Sequence, residues 1–175
     1  KPLSLTVEEG RAMSDAVKKY GVTFQTGSQQ RSSYHFRRVC ELAKNGRLGD
    51  LHTVTCGLPG GTPDFGRTGH LTETIPVPKD FDYDMWLGPA PEAPFRTHVN
   101  FRWNLDYSGG NVTDWGGHHP DIAQWGMGTE LTGPVKIQNA QAVWSDHPVW
   151  NTATRFYFEC IYENGIKLII QSDKD

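Results

Sequence analysis

The chain is poor in cysteine, in long apolar runs and in excess charge of either sign. Its three cysteines, Cys40, Cys56 and Cys160, are far apart and odd in number. That argues against a disulfide framework or a zinc-ribbon site and makes reduced, buried thiols the expectation. No stretch approaches the roughly 20 apolar residues of a membrane span, so no membrane partner is expected. A net charge of −3 over 175 residues gives no basis for binding nucleic acid or an anionic surface. A Gly-x-Gly-x-x-Gly fingerprint is missing, so the main pyrophosphate site of a dinucleotide fold is not expected in this chain. Gly57-Leu58-Pro59-Gly60-Gly61 lacks the Lys and Ser/Thr of a phosphate loop, and no serine sits in a nucleophile elbow. The chain opens on Lys1-Pro2 without Met, which leaves an upstream targeting segment open. Cytoplasmic residence is the expectation, with periplasmic export as the alternative.

What is present fits a folded domain: 37% hydrophobic and 21% charged residues, outside the disordered range. Thr6 and Glu9 form a capping-box pattern that predicts a helix from Val7 to Tyr20, stopped by Gly21. Val22–Gly27 reads as a short strand, making an α/β unit with that helix. Ser32 or Ser33 opens a second helix ending near Asn45-Gly46. Leu51–Cys56 alternates as a strand. Residues 57 to 80 are rich in Gly, Pro and Thr and predict a long irregular excursion. Asp82–Leu87 reads as one short helical turn ended by Gly88-Pro89. A helix is predicted from Asp114 to Met127. Three strands follow, at Val135–Trp144, Ala153–Tyr162 and Gly165–Gln171, the last two joined by a two-residue turn at Asn164-Gly165. The fold class is therefore α+β, with a predominantly antiparallel open sheet and helices on one face. The six tryptophans lie in the second half or near it. They suit a pocket for a ligand with apolar ring faces such as a sugar, although each one singly reads better as core.

Asp114-Trp115-Gly116-Gly117-His118-His119-Pro120-Asp121 is the densest chemical signal. Two histidines that titrate near neutral pH stand beside two carboxylates able to orient them. On a continuous helix Asp114 and His118 share one face, and Gly116-Gly117 would leave that face open to a ligand. Asp121 would then reach a His118 ring nitrogen. Proton transfer centred on His118 ranks first. A structural role, with Asp114 as cap and the histidines as packing, ranks second. A metal-dependent hydrolase built on Asp114, His118 and His119 ranks third, because adjacent helical residues diverge.

Taken together, Lys1-Pro2-Leu3, Gly27-Ser28-Gln29-Gln30-Arg31, Asn45-Gly46-Arg47-Leu48-Gly49, Tyr83–Pro91 and Gly109-Gly110 followed by Asp114 and His118 occur in an ordered series. This series resembles the Gfo/Idh/MocA family, that of glucose–fructose oxidoreductase and inositol dehydrogenase. The resemblance implies two parts. Residues 1–28 would be the last helix-strand unit of a Rossmann domain. Residues 29–175 would be a substrate-binding and oligomerisation α+β domain, cut short at its C-terminus. It implies an NAD- or NADP-dependent oxidoreductase acting on a carbinol carbon of a sugar, inositol or sugar derivative, inactive as this fragment alone. Lys1, Asp114 and His118 would be catalytic. Lys1, Pro2, Gln29 and Arg31 would lie at the cofactor. Asp114, Trp115, His118 and His119 would meet the substrate. Homo-oligomerisation through the open sheet face is implied as well, and a non-catalytic sugar-binding or dimerisation module is the alternative.

Overall fold

The computed structural model describes residues 3–59, 72–96 and 101–172. The helix α1 (Val7–Tyr20) has the expected cap: Glu9 N–H donates to Thr6 Oγ1 at 3.2 Å and Thr6 N–H to Glu9 Oε2 at 3.1 Å. Gly21, at φ 62°, ends it in the left-handed conformation that glycine adopts at least cost. Val22–Gly27 is irregular rather than a strand. Strand propensity does not stabilise a lone extended segment, and no described strand lies beside it to complete a ladder.

Helix α2 (Tyr34–Lys44) follows a 3-10 turn at Gln29–Ser32 and leads to β1 (Thr53–Leu58). The short α3 (Tyr83–Leu87) is capped by Asp82, whose carboxylate accepts from Met85 N–H at 2.9 Å. Beyond it come α4 (His119–Met127), β2 (Lys136–Trp144), β3 (Ala153–Ile161) and β4 (Lys167–Ser172). Of the long excursion predicted at 57–80, residues 60–71 lie outside the described residues. Thr74 bridges to Arg96.

The sheet runs β1-β4-β3-β2. The β2–β3 and β3–β4 pairs are antiparallel, as expected, but β1 joins β4 in parallel, so the sheet is mixed. The β3–β4 hairpin also differs in detail. Tyr162 N–H donates to Ile166 O at 3.0 Å and Gly165 N–H to Tyr162 O at 2.9 Å, with Gly165 at φ 82°. The loop is therefore three residues, Glu163 to Gly165, with glycine at the left-handed position that such loops require.

Period-two alternation places Cys56 and Leu58 of β1, Cys160 of β3, and Leu168 and Ile170 of β4 in the core with Ala123 and Met127 of α4. Helices α2 and α4 pack together, and Cys40 Sγ donates to Ile122 O at 3.5 Å. Burial holds the Cys56 thiol protonated, its pKa pushed up to about 11. All three cysteines are free and buried. A smaller core of Trp103, Val149 and Trp150 seats the segment from Phe101 onward.

The opposite sheet face carries one buried charge, Glu159. Gln138 Nε2 donates to its Oε2 at 2.9 Å, the Tyr157 hydroxyl to its Oε1 at 2.7 Å, and Lys167 Nζ lies 3.6 Å from Oε2. The Gln138 bond leads in holding this carboxyl down at about 2. A carboxyl depressed on folding stabilises the protein above its unfolded pKa and loses that contribution as pH falls toward the folded value. Urea unfolding at pH 5 and near pH 2.5 should show a clear loss of stability in the wild type and a smaller loss in Glu159→Gln. Equal losses would mean the cluster does not set acid sensitivity.

Candidate active site

The Asp114-to-Asp121 segment is not one helix. A 3-10 turn at Gly110–Val112 is followed by a second at Trp115–Gly117, and α4 begins only at His119. Pro120 explains the break: it has no N–H, and its ring would clash with the carbonyl four residues back if the helix continued. In the first turn of α4 the same proline is tolerated. Gly116 also differs from expectation. A Cβ there would lie 3.8 Å from Asn111 O and 3.9 Å from a Leu58 methyl, so this position faces inward rather than opening a ligand face.

The turn before the cluster is packed tightly. Gly110 has φ 63°, and a Cβ on it would sit 2.7 Å from both Cβ and Oγ1 of the fully buried Thr152. Thr113 Oγ1 accepts from Gly109 N–H at 3.1 Å and bonds Ser108 Oγ at 3.2 Å. Asn111 Nδ2 donates to Pro59 O at 3.0 Å. The Asn111 bond ties the cluster's entry to the end of β1, and the close approach of Gly110 to Thr152 seats it against the start of β3.

Asp114 is largely buried, and its Oδ2 lies 3.7 Å from Arg102 on the neighbouring turn at Phe101–Trp103. Trp115 stands between the two histidines, with its ring centroid 5.6 Å from each imidazole. His118 is half-buried at the junction between turn and helix. His119 turns to the sheet, where its Nδ1 bonds Gly57 O of β1 at 3.1 Å, beside Phe36 of α2. Trp115 thus forms an aromatic wall beside His118, and His119 is held in part by the scaffold.

Asp121 does not reach His118 as anticipated. It takes the Arg31 guanidinium in a bidentate fork, at 2.8 Å from Nε and 2.7 Å from Nη2. Arg31 Nη1 donates to Glu130 at 3.0 Å, Lys44 Nζ to the same carboxylate at 3.3 Å, and the guanidinium lies 5.4 Å from the Trp125 ring. The Asp121 bond leads in raising the already high Arg31 pKa, so this cation is permanent. Gln29 and Arg31 line a cleft of about 480 Å³ with Thr26 and Ser28. There the Arg31 guanidinium is already engaged by two carboxylates. Lys1 and Pro2 lie outside the described residues.

The arrangement offers an imidazole, a carboxylate with its own guanidinium neighbour, and an indole wall. Among the described residues no three His, Cys, Asp or Glu side chains converge as metal ligands do, and no helix is long and apolar enough to cross a membrane. Among the described residues no Gly-rich strand-turn-helix is present to fit a pyrophosphate. Arg102 had no signal in the sequence, because its pairing with Asp114 arises from the docking of two separate turns. The Arg31–Asp121 fork spans 90 positions and was equally invisible locally.

Two variants test this geometry. Gly110→Ala should cost about 2–4 kcal/mol in the full-length protein, from left-handed strain plus overpacking on Thr152. Gly128→Ala, at φ 71° with nothing within 4 Å, should cost only about 1 kcal/mol. Denaturant titration separates the two, and equal costs would contradict the Thr152 contact. A double-mutant cycle on Arg31→Ala and Asp121→Ala should give a coupling of about 1–2 kcal/mol, moderated by partial exposure. Zero coupling would mean the fork is not held in solution.

The family model for the oxidoreductase family C-terminal alpha/beta domain, of the Gfo/Idh/MocA type, matches residues 34–175. An uncharacterised oxidoreductase, YrbE of Bacillus subtilis strain 168, is 25% identical over 174 residues, covering 99% of this chain and 40% of the relative. The WlbA dehydrogenase of Chromobacterium violaceum, solved with NADH and UDP-GlcNAcA, matches with TM-score 0.66 at 14% identity, over 98% of this chain and 40% of that one. The aldose–aldose oxidoreductase of Caulobacter crescentus, solved with glycerol, matches with TM-score 0.64 at 21% identity, over 98% and 41%. At such identities the structural likeness speaks for the fold. The chain spans about two fifths of the length of these relatives. With the family model matched over most of its length, the chain belongs to the Gfo/Idh/MocA oxidoreductase family and carries its C-terminal α/β domain.

Proposed function

We propose that the whole protein is an NAD- or NADP-dependent oxidoreductase acting on a carbinol carbon of a sugar, inositol or sugar derivative, with His118 as its proton acceptor. The observation that carries the reading is a half-buried imidazole beside the Trp115 wall, within four residues of a largely buried carboxylate, on the fold of an oxidoreductase family. Relatives of this fold are solved with NADH, with a UDP-sugar and with glycerol, which favours a nicotinamide cofactor and a hydroxylated small molecule.

When bound, the cofactor supplies the hydride acceptor, and a domain outside these residues would hold its pyrophosphate. A His118 ring nitrogen takes the substrate hydroxyl proton as the carbinol C–H bond breaks and the C=O bond forms. Asp114 accepts a hydrogen bond from a neighbouring substrate hydroxyl. Lys1 places its ammonium beside the developing alkoxide, and Pro2, Gln29 and Arg31 belong to the boundary near the cofactor. His119 and Trp115 complete the substrate wall.

An oligomer fits the same reading. The sheet face bearing Glu159 has no described helix over it, and the edge strand β2 exposes Ile137, Val143 and Trp144. Sugar binding with assembly but no redox step is the second reading that this surface favours.

The full-length protein should reduce NAD or NADP with at least one member of a panel of sugars and inositols. His118→Ala should lower kcat by about 100- to 10,000-fold while leaving the cofactor Kd, measured by calorimetry, unchanged. Full turnover in the variant would remove His118 from the mechanism. Sugar binding without any cofactor binding would favour the second reading.

A further inference from the structure

A second cavity, of about 610 Å³, opens between α1 and the segments around α3. That volume lies within the roughly 300–1,000 Å³ typical of small-molecule sites. Glu9 and Met13 contribute from one wall; Trp86, Phe101, Asp106 and Tyr107 contribute from the other.

The far wall is preset. Trp86 stacks on Tyr83 at 5.7 Å and 23°, and meets Tyr107 edge-on at 5.1 Å and 71°. Tyr83 in turn packs edge-on against the buried Phe95 at 5.1 Å. Rings fixed this way lose little entropy when a ligand docks. Burial pushes the Tyr107 hydroxyl up to about 12, so it stays an O–H group. The Glu9 carboxylate is held by the Leu5 and Thr6 amides at 2.7 and 3.1 Å.

The charge pattern narrows the ligand. Among the described residues two carboxylates and no Lys or Arg line the cavity, so a phosphate or carboxylate ligand meets repulsion from them. A purely apolar ligand would strip water from both carboxylates without replacing it. A neutral polyol with C–H faces satisfies the carboxylates through its hydroxyls and the rings through its faces.

The far wall of the cavity neighbours the candidate active site. Phe101 directly precedes Arg102, whose guanidinium lies 3.7 Å from Asp114, and Tyr107 leads into the Gly109-Gly110 turn. We propose that this cavity binds an uncharged saccharide unit next to the one being oxidised. The substrate class is then a neutral glycoside or disaccharide, ahead of a free monosaccharide or a sugar phosphate. The proposal rests on the His118 reading for its catalytic consequence, though not for binding itself.

The test uses the full-length enzyme with glucose, maltose, cellobiose and glucose 6-phosphate. One disaccharide should exceed glucose in kcat/KM by about tenfold, equivalent to one aromatic-ring contact with a hydrogen bond. Glucose 6-phosphate should fall below glucose. Trp86→Ala should bring the disaccharide-to-glucose ratio close to one, and Trp86→Phe should keep most of it. Asp106→Asn, at an exposed position that does not threaten folding, should lower the same ratio severalfold. A wild-type ratio near one, or a ratio unmoved by both Trp86→Ala and Asp106→Asn, overturns the proposal. If no sugar is turned over, the redox reading fails by itself. Calorimetric binding of either disaccharide that is lost in Trp86→Ala would then still support the cavity, and its absence in the wild type would overturn it.

Discussion

The Arg31–Asp121 fork governs how this domain is put together. Arg31 lies just past the irregular segment that follows α1, and Asp121 lies in the first turn of α4. Both guanidinium contacts are within 2.8 Å, and Glu130 with Lys44 extends the network to the end of α2. A charge-assisted bidentate pair fixes orientation as well as distance. It therefore anchors the first turn of α4, whose start Pro120 sets, and with it the place of His118 at the head of that helix. At the other end of the segment the Gly110–Thr152 contact leaves no room for a Cβ. The candidate site hangs between these two fixed points.

Much of the frame was legible because it follows from local rules. Thr6 and Glu9 cap α1, Asp82 caps α3, and burial alternates along β4. The misreadings have physical causes. Val22–Gly27 has strand propensity, but a strand is defined by a neighbour that no local pattern supplies. The continuous helix across 114–127 was contradicted by a visible residue, Pro120, whose ring forbids it. The parallel placement of β1 beside β4 pairs residues more than 100 positions apart. Periodicity says which face a strand buries and nothing about its partner.

Among the site residues, sequence pattern located Asp114, Trp115, His118 and His119 together. The pattern did not show their partners: Asp121 is held by Arg31, and His119 Nδ1 bonds Gly57 O of β1. Arg102 and the Trp86–Tyr107 wall came only from tertiary docking. Part of the aromatic richness lines a cavity of its own. One wall of that cavity comes from α1 and the other from the segments around α3.

The account is tested most directly by a crystal structure of the full-length protein with a nicotinamide cofactor and a sugar substrate. It predicts the reacting hydroxyl oxygen about 2.6–3.2 Å from a His118 ring nitrogen, with the Lys1 ammonium beside the same oxygen. A reacting carbon placed against other side chains, with His118 turned away from it, would contradict the account.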